Sequence, residues 1–152
     1  MKTGSASAPP DAVVLDASFV LRYVLHTGAP RPSAAGLAAL RDCELIVPAL
    51  WNAEVANALV QAERRATVAP ERIGQALAAI LALAPTVDAQ PVDVPRNLDA
   101  ARAHGLSAYD SLYLELALRR RAALATFDSD MIAAAPRAGV RLYPEPSTLL
   151  PP

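Results

Sequence analysis

Four acidic residues lie where predicted strands end or near the beginnings of predicted helices. They follow the apolar runs VVL and ALATF, or belong to the helices after ELIVP and GLS, and they are Asp16, Asp128, Glu54 and Asp110. Because the carboxyl ends of parallel strands meet at one edge of a sheet, these carboxylates are expected to lie close together. Two carboxylates about 4 Å apart repel by roughly 4 kcal/mol at an effective dielectric near 20, so such a cluster needs protons or cations.

The chemistry of an oxygen-only cluster points to hard cations. Carboxylates suit Mg²⁺ or Mn²⁺, whereas zinc prefers His and Cys ligands, which are not found near these acids in the sequence. Such ions polarise a phosphodiester, activate bound water and stabilise the leaving oxygen. The acidic residues therefore predict metal-dependent hydrolysis of phosphodiesters.

Each acid also has a purely structural interpretation. Ser107 and Asp110 form an S-x-x-D pattern that caps a helix, and Asp128 could cap the helix that follows it. Glu54 could belong to a solvated helical face. Asp16 is the hardest to explain in this way, because a charge at the end of a buried parallel strand needs a partner or a metal.

The elements that would hold these acids alternate between strands and helices. TVDAQPVD is a weak edge strand or loop, and buried strands are predicted at residues 12–16, 44–48, 122–126 and 140–144. Apolar strands separated by helices predict an α/β fold, a three-layer α/β/α sandwich around a short parallel sheet of four to five strands. One domain is expected over residues 11–144, after a disordered segment at 1–10 and before an extended tail at 145–152.

The predicted helices include a short one over residues 33–42 and an apolar one over 71–84, which is expected to be buried or to lie at an interface. Pro95 and Gly105 mark the ends of another helix.

The composition narrows the class of protein. The net charge is −1 at pH 7, so any contact with nucleic acid must come from a local patch. Cys43 is the only cysteine, which excludes a disulfide within the chain and a Cys-type zinc site. The segment MKTGSASAPP lacks the apolar core of a secretory signal, and no apolar run approaches the length of a membrane span. A cytoplasmic protein is expected.

Four segments together resemble the PIN-domain ribonucleases and, among them, the VapC-like toxins of bacterial toxin–antitoxin pairs. In chain order they are VVLDASFVLRYVL, VPALWNAEVANAL, GLSAYDSLYLELA and LATFDSDM, and the resemblance covers about residues 12–143. It implies the PIN-like fold, Mg²⁺ or Mn²⁺ as cofactor and RNA as substrate. It also implies a homodimer and a small antitoxin that blocks the site.

The resemblance further assigns individual residues. The family's catalytic and metal-binding acids correspond to the four carboxylates already named. Asp16 and Asp110 are predicted to be the main ligands, because they lie closest to the strand ends and to a helix amino terminus. The polar residues that support them correspond to Ser18, Asn57 and Thr126.

Three further predictions concern residues around the acids. Asp130 could reach a metal through water, although an acid in the first turn of a helix is the simpler interpretation. Arg22, on the helix after the first acid, could reach a phosphate. The aromatic side chains of Trp51, Tyr109 and Tyr113 could stack on bases, although packing in the core or a dimer is simpler.

Other functions stay open from the sequence alone. A PIN-like module that has lost catalysis would only bind RNA or protein, but all four acids are present. A phosphatase of the haloacid-dehalogenase kind needs D-x-D after the first strand, where this sequence reads DAS. A metal-free ribonuclease could use His26 and His104 as acid and base, yet both stand beside glycines that mark helix ends.

Overall fold

The computed structural model describes residues 8–25, 31–32, 38–145 and 149–150. Residues 1–7 of the predicted disordered segment 1–10, half of the predicted helix over 33–42, His26, and most of the predicted tail at 145–152 lie outside the described residues. Within the described ranges, no helix combines the length and the apolar character that a membrane span requires.

The central sheet has four parallel strands. In spatial order these are β4, β3, β1 and β5, with the bounds Thr86–Asp88, Glu44–Pro48, Ala12–Leu15 and Ala123–Ala125. Val14 of β1 is in register with Ile46 on one side and Leu124 on the other, and all three are fully buried. Buried apolar side chains on both faces are typical of a parallel sheet covered by helices. A separate antiparallel pair joins β2 (Arg31–Pro32) to β6 (Leu149–Leu150).

In the described ranges, the helices with defined bounds are α1 to α6 in chain order: Ala17–Leu25, Leu50–Arg64, Pro70–Leu83, Val94–His104, Ala108–Arg120 and Ser129–Arg137. Helix α1 packs on α2 and α3, whereas α5 packs on the central sheet and contacts α4 and α6. The predicted α/β class with three layers is confirmed.

Local signals explain where several helices end. Gly105 follows α4 with φ +67°, a left-handed conformation that glycine adopts without strain. The side chain of Ser107 caps α5, and that of Asp128 caps α6. These caps confirm the structural interpretations drawn from the sequence.

Two predicted strands are shorter in the structure. The edge strand TVDAQPVD is reduced to β4, because the side chain of Asp88 accepts a hydrogen bond from the backbone of Gln90 and turns the chain away. The last predicted strand, 140–144, contributes only an isolated parallel bridge from Leu142 to Leu124. Its final residue is Pro144, which has no backbone N–H to extend the pairing.

The apolar helix α3 is only partly covered. Ala76 and Ile80 are buried, but Leu77 is 45% exposed and Leu81 is 68% exposed. The sequence predicts that this helix is buried or lies at an interface. In the structure, one face of α3 packs against the core and another face exposes leucines.

Candidate active site

Asp16 lies immediately after β1 and is only 5% exposed. Its carboxylate accepts hydrogen bonds from the hydroxyls of Ser18 and Thr126, the second at 2.7 Å. Its backbone N–H donates to the carbonyl of Ala125 at 3.0 Å, which fixes the residue against the end of β5. Burial raises the pKa of Asp16, the hydrogen bonds from Ser18 and Thr126 lower it, and the charge of Asp110 adds to the increase.

Glu54 projects from α2 and is half-buried. One of its carboxylate oxygens accepts a hydrogen bond from the hydroxyl of Tyr113 on α5. Burial raises the pKa of Glu54 most strongly, and the hydrogen bond from Tyr113 opposes this. The negative charges of Asp16 and Asp110 raise the pKa further, so these three acids lie in one electrostatic neighbourhood.

Asp110 stands in the first turn of α5 and has the capping role predicted for it. Its backbone N–H donates to the Ser107 hydroxyl at 3.1 Å, and that hydroxyl donates back to the Asp110 carboxylate at 2.6 Å. An acid in the first turn also suits the positive end of the helix dipole. Asp110 therefore belongs to the cap of α5, and its negative charge also raises the pKa of Asp16 and of Glu54. We call Asp16, Glu54 and Asp110 the acid cluster.

Asp128 is connected to the acid cluster through Thr126. The Thr126 hydroxyl donates to Asp16 and accepts from the backbone N–H of Asp128 at 3.0 Å. One carboxylate oxygen of Asp128 caps α6, accepting from the N–H groups of Asp130 and Met131 at 3.0 and 2.9 Å. Asp128 therefore has a firm structural role next to the cluster, and Asp130 lies exposed in the first turn of α6.

The polar residues predicted to support the acids differ in their surroundings. Ser18 links Asp16 to the loop after β5, because its oxygen also accepts from the backbone N–H of Phe127 at 3.3 Å. Asn57 lies exposed on α2, one turn after Glu54. The guanidinium of Arg22 lies 5.1 Å from the centroid of the Phe127 ring.

The three aromatic residues considered for base stacking have different positions. Trp51 is buried at 3% exposure, and Tyr113 is fully buried. Tyr109 is 68% exposed and precedes Asp110 in the chain. A base could reach Tyr109, whereas the other two rings are enclosed by the core.

The contact from Tyr113 to Glu54 was not anticipated from the sequence, which suggested packing for this ring. The available signal was a tyrosine one turn after Asp110 in a helix whose buried positions are otherwise mostly aliphatic. Burial raises the pKa of Tyr113 far above its ordinary value, and the hydrogen bond to Glu54 and the nearby charges add to this. The hydroxyl therefore stays protonated and acts as a donor to the carboxylate.

The ligand atoms at this site are of the kind that a hard cation prefers. The acid cluster offers only carboxylate oxygens, and the side chains that donate to Asp16 and Glu54 are neutral hydroxyls. This chemistry fits Mg²⁺ or Mn²⁺. In the described parts of the chain, however, no group of three or more His, Cys, Asp or Glu side chains is arranged so that it could hold a metal ion as it stands. The ligand types fit such an ion, but the carboxylates would have to move closer to one another to coordinate it.

Comparisons with known proteins identify the family. A crystal structure of PAE2754 from Pyrobaculum aerophilum is similar, with a TM-score of 0.62 and 24% identity over 81% of this chain and 78% of that chain. A crystal structure of FitAcB from Neisseria gonorrhoeae has a TM-score of 0.56 and 18% identity over 86% of this chain and 96% of that chain. No significant match is found among curated proteins. At these identities the two structures support the fold alone. A family model described as PIN domain matches residues 13–136, most of the chain, and the protein therefore belongs to the PIN-domain family.

Proposed function

We propose that this protein is a metal-dependent ribonuclease that cleaves RNA phosphodiesters and serves as the toxin of a toxin–antitoxin pair. PIN domains are generally nucleases, which supports the reaction class. The observation that carries the proposal is the acid cluster. Hydroxyls bond the nearly buried Asp16 carboxylate, the negative charge of Asp110 raises the pKa of Asp16, and the charges of Asp16 and Asp110 raise the pKa of Glu54. A cation bound from solution would offset both the cost of burying the Asp16 charge and the repulsion between the acids.

The residues that would hold Mg²⁺ or Mn²⁺ are Asp16, Asp110 and Glu54, with Asp128 completing the set. The chemistry supplied by the ion, when bound, is activation of water and neutralisation of charge on the phosphodiester. Ser18 and Thr126 hold the Asp16 carboxylate in place through their hydroxyls. Asn57 and Asp130 are exposed polar groups beside this set, and they would orient water or substrate.

Contact with RNA would involve side chains at the rim of the acid cluster. Tyr109 is exposed beside Asp110, so a base could stack on its ring. Arg22 is proposed to contact a phosphate, since it lies over Phe127 near the residues that hold Asp16. Because stacking is worth about 1–3 kcal/mol per base, Tyr109→Ala should raise KM for RNA about tenfold and leave kcat unchanged. An unchanged KM would contradict this contact.

The partners that the family resemblance implies are also proposed here. The exposed leucines of α3, Leu77 and Leu81, would contribute to a homodimer. A small antitoxin would bind beside the acid cluster and pair an arginine with its carboxylates. A solution mass near twice 15.9 kDa and co-purification with a small neighbouring gene product are expected. A monomer at micromolar concentration that captures no such protein would contradict both partners.

The proposed reaction is tested by incubating total cellular RNA with wild type, Asp16→Asn and Asp110→Asn, with Mg²⁺ or Mn²⁺ and with EDTA. Asp99→Asn is the matched control, because the Asp99 side chain is 81% exposed on α4. Wild type and the control should cleave only with metal, and should leave 5′-phosphate and 3′-hydroxyl ends, because water rather than the ribose 2′-hydroxyl attacks.

Cleavage that persists in EDTA, or products with 2′,3′-cyclic phosphate ends, would exclude this mechanism and support the two-histidine alternative. Binding of RNA without cleavage in either metal would instead support the catalytically inactive module.

A further inference from the structure

Tyr113 connects two helices at the acid cluster. It projects from α5, one turn after Asp110, and has the largest fully buried side chain among the residues that the structure describes. Its hydroxyl donates to a carboxylate oxygen of Glu54 on α2. One side chain thus joins the helix that carries Asp110 to the helix that carries Glu54.

Packing alone does not explain the hydroxyl of Tyr113. A phenylalanine would fill nearly the same volume, and burying a hydroxyl is unfavourable unless it finds a hydrogen-bonding partner. Here the partner is the carboxylate of Glu54. The hydroxyl therefore ties the position of that carboxylate to the helix that carries Asp110.

We infer that Tyr113 is a positioning residue of the acid cluster, because its hydroxyl fixes the Glu54 carboxylate relative to Asp110. This inference rests on the proposed nuclease function. Tyr113 does not itself touch the RNA, since its ring is enclosed by the core. Without the hydroxyl, the half-buried Glu54 carboxylate would lose its side-chain donor and would sample other orientations.

The first test compares Tyr113→Phe with Tyr143→Phe, a control that removes the hydroxyl of a tyrosine outside the acid cluster. Removing residues that orient metal ligands typically reduces activity or metal affinity by about 10- to 100-fold. Tyr113→Phe should therefore lower kcat by roughly that factor with little change in KM, whereas Tyr143→Phe should match wild type. Equal kcat values for wild type and Tyr113→Phe would overturn the inference.

A double-mutant cycle shows whether the effect passes through Glu54. If Tyr113 acts by holding that carboxylate, Tyr113→Phe should cause no further loss of kcat in a Glu54→Gln background. Independent, multiplying losses would overturn the positioning role.

A second readout separates this inference from the proposed function. The melting temperature is followed during titration with Mn²⁺, which needs no substrate. Tyr113→Phe should shift the half-saturating Mn²⁺ concentration upward by about tenfold or more relative to wild type. If wild type binds Mn²⁺ but does not cleave RNA, the nuclease proposal fails. The shift in the half-saturating Mn²⁺ concentration then still tests the role of Tyr113. Equal midpoints, or no response of wild type to Mn²⁺, would overturn it.

If Tyr113→Phe fails to fold, 3-fluorotyrosine at position 113 keeps both the ring and the hydroxyl. Its fluorine resonance should move on addition of Mg²⁺ and in the Glu54→Gln background. A resonance that is indifferent to both changes would overturn the inference.

Discussion

Two groups of acids in this protein are partnered in opposite ways. In the acid cluster, Asp16 and Glu54 accept hydrogen bonds from neutral hydroxyls, and burial raises the pKa of both. At the end of β4, Asp88 accepts two N–H groups of Arg119 at 3.0 and 3.1 Å, and this lowers its pKa. Arg119 also pairs with Glu115, and we call Asp88, Glu115 and Arg119 the ion-pair group.

The difference separates a structural use of carboxylates from a functional one. In the ion-pair group the positive charge comes from Arg119. Its contacts join β4 to α5 and favour the folded state. In the acid cluster, ionised Asp16 disfavours the folded state until a cation binds. An acid near the edge of a parallel sheet is therefore not by itself evidence of a site, and its partners decide between the two uses.

Neutralising one acid from each group should have the largest effect. Asp16→Asn should reduce RNA cleavage on the order of 10³-fold or more, because metal ligation supplies several kcal/mol of transition-state stabilisation. Asp88→Asn should retain cleavage close to wild type. Initial rates with saturating Mg²⁺ or Mn²⁺ test both variants, and equal losses of activity would remove the distinction.

Metal linkage should separate the two groups in stability. A cation that binds only the folded acid cluster stabilises it by about 2.7 kcal/mol at 100 times its dissociation constant. Wild type and Asp88→Asn should both gain melting temperature with Mg²⁺ or Mn²⁺, whereas Asp16→Asn should gain little. Denaturant unfolding with and without metal measures the gain. A wild type whose stability ignores millimolar metal would contradict a functional cluster.

The response to pH should have opposite signs in the two groups. Asp88 has a lowered pKa, so its contribution to stability is present above its ordinary value of 3.8 and is lost as the pH falls through the lowered pKa. Asp16 has a raised pKa, so stability is lost as the pH rises from 3.8 through the raised value.

Unfolding free energies measured in EDTA across this range test the two signs. Asp16→Asn should be more stable than wild type above the raised pKa, and Asp88→Asn should be less stable than wild type above pH 3.8. The same sign for both variants would show that the surroundings of the two acids do not differ as described.

The sequence predicts the places of the acids better than it predicts their partners. Asp16 follows a run of strand residues, and Asp110 follows a capping serine, so local patterns locate both. Their convergence follows from the order of strands and helices. The hydrogen bond from Tyr113 to Glu54 joins residues 59 positions apart and depends on how two helices pack, which no local pattern encodes.

The ion-pair group illustrates the same limit. Arg119 and Arg120 stand in the last turn of α5, where positive charge suits the helix dipole. That Arg119 reaches Asp88 on β4 became visible only in the structure. The predicted last strand, 140–144, forms only one bridge, because strand pairing depends on the neighbouring strands as much as on apolar content.

The smallest expected effect is the coupling between Asp88 and Arg119 within the ion-pair group. The side chains of Asp88 and Arg119 are 12% and 29% exposed, so solvent screens their attraction in part. Asp88→Asn should therefore cost about 1 kcal/mol of unfolding free energy, or roughly 2–4 °C in Tm. A cycle with Arg119→Met should show a coupling of about 0.5–1 kcal/mol that shrinks in 1 M salt. The exposed pair of Asp99 and Arg102, whose closest atoms are 4.0 Å apart, is the control and should show almost no coupling. If both pairs showed equally weak coupling, the bidentate contact would contribute no measurable stability. The fold would then not depend on the positive charge of Arg119.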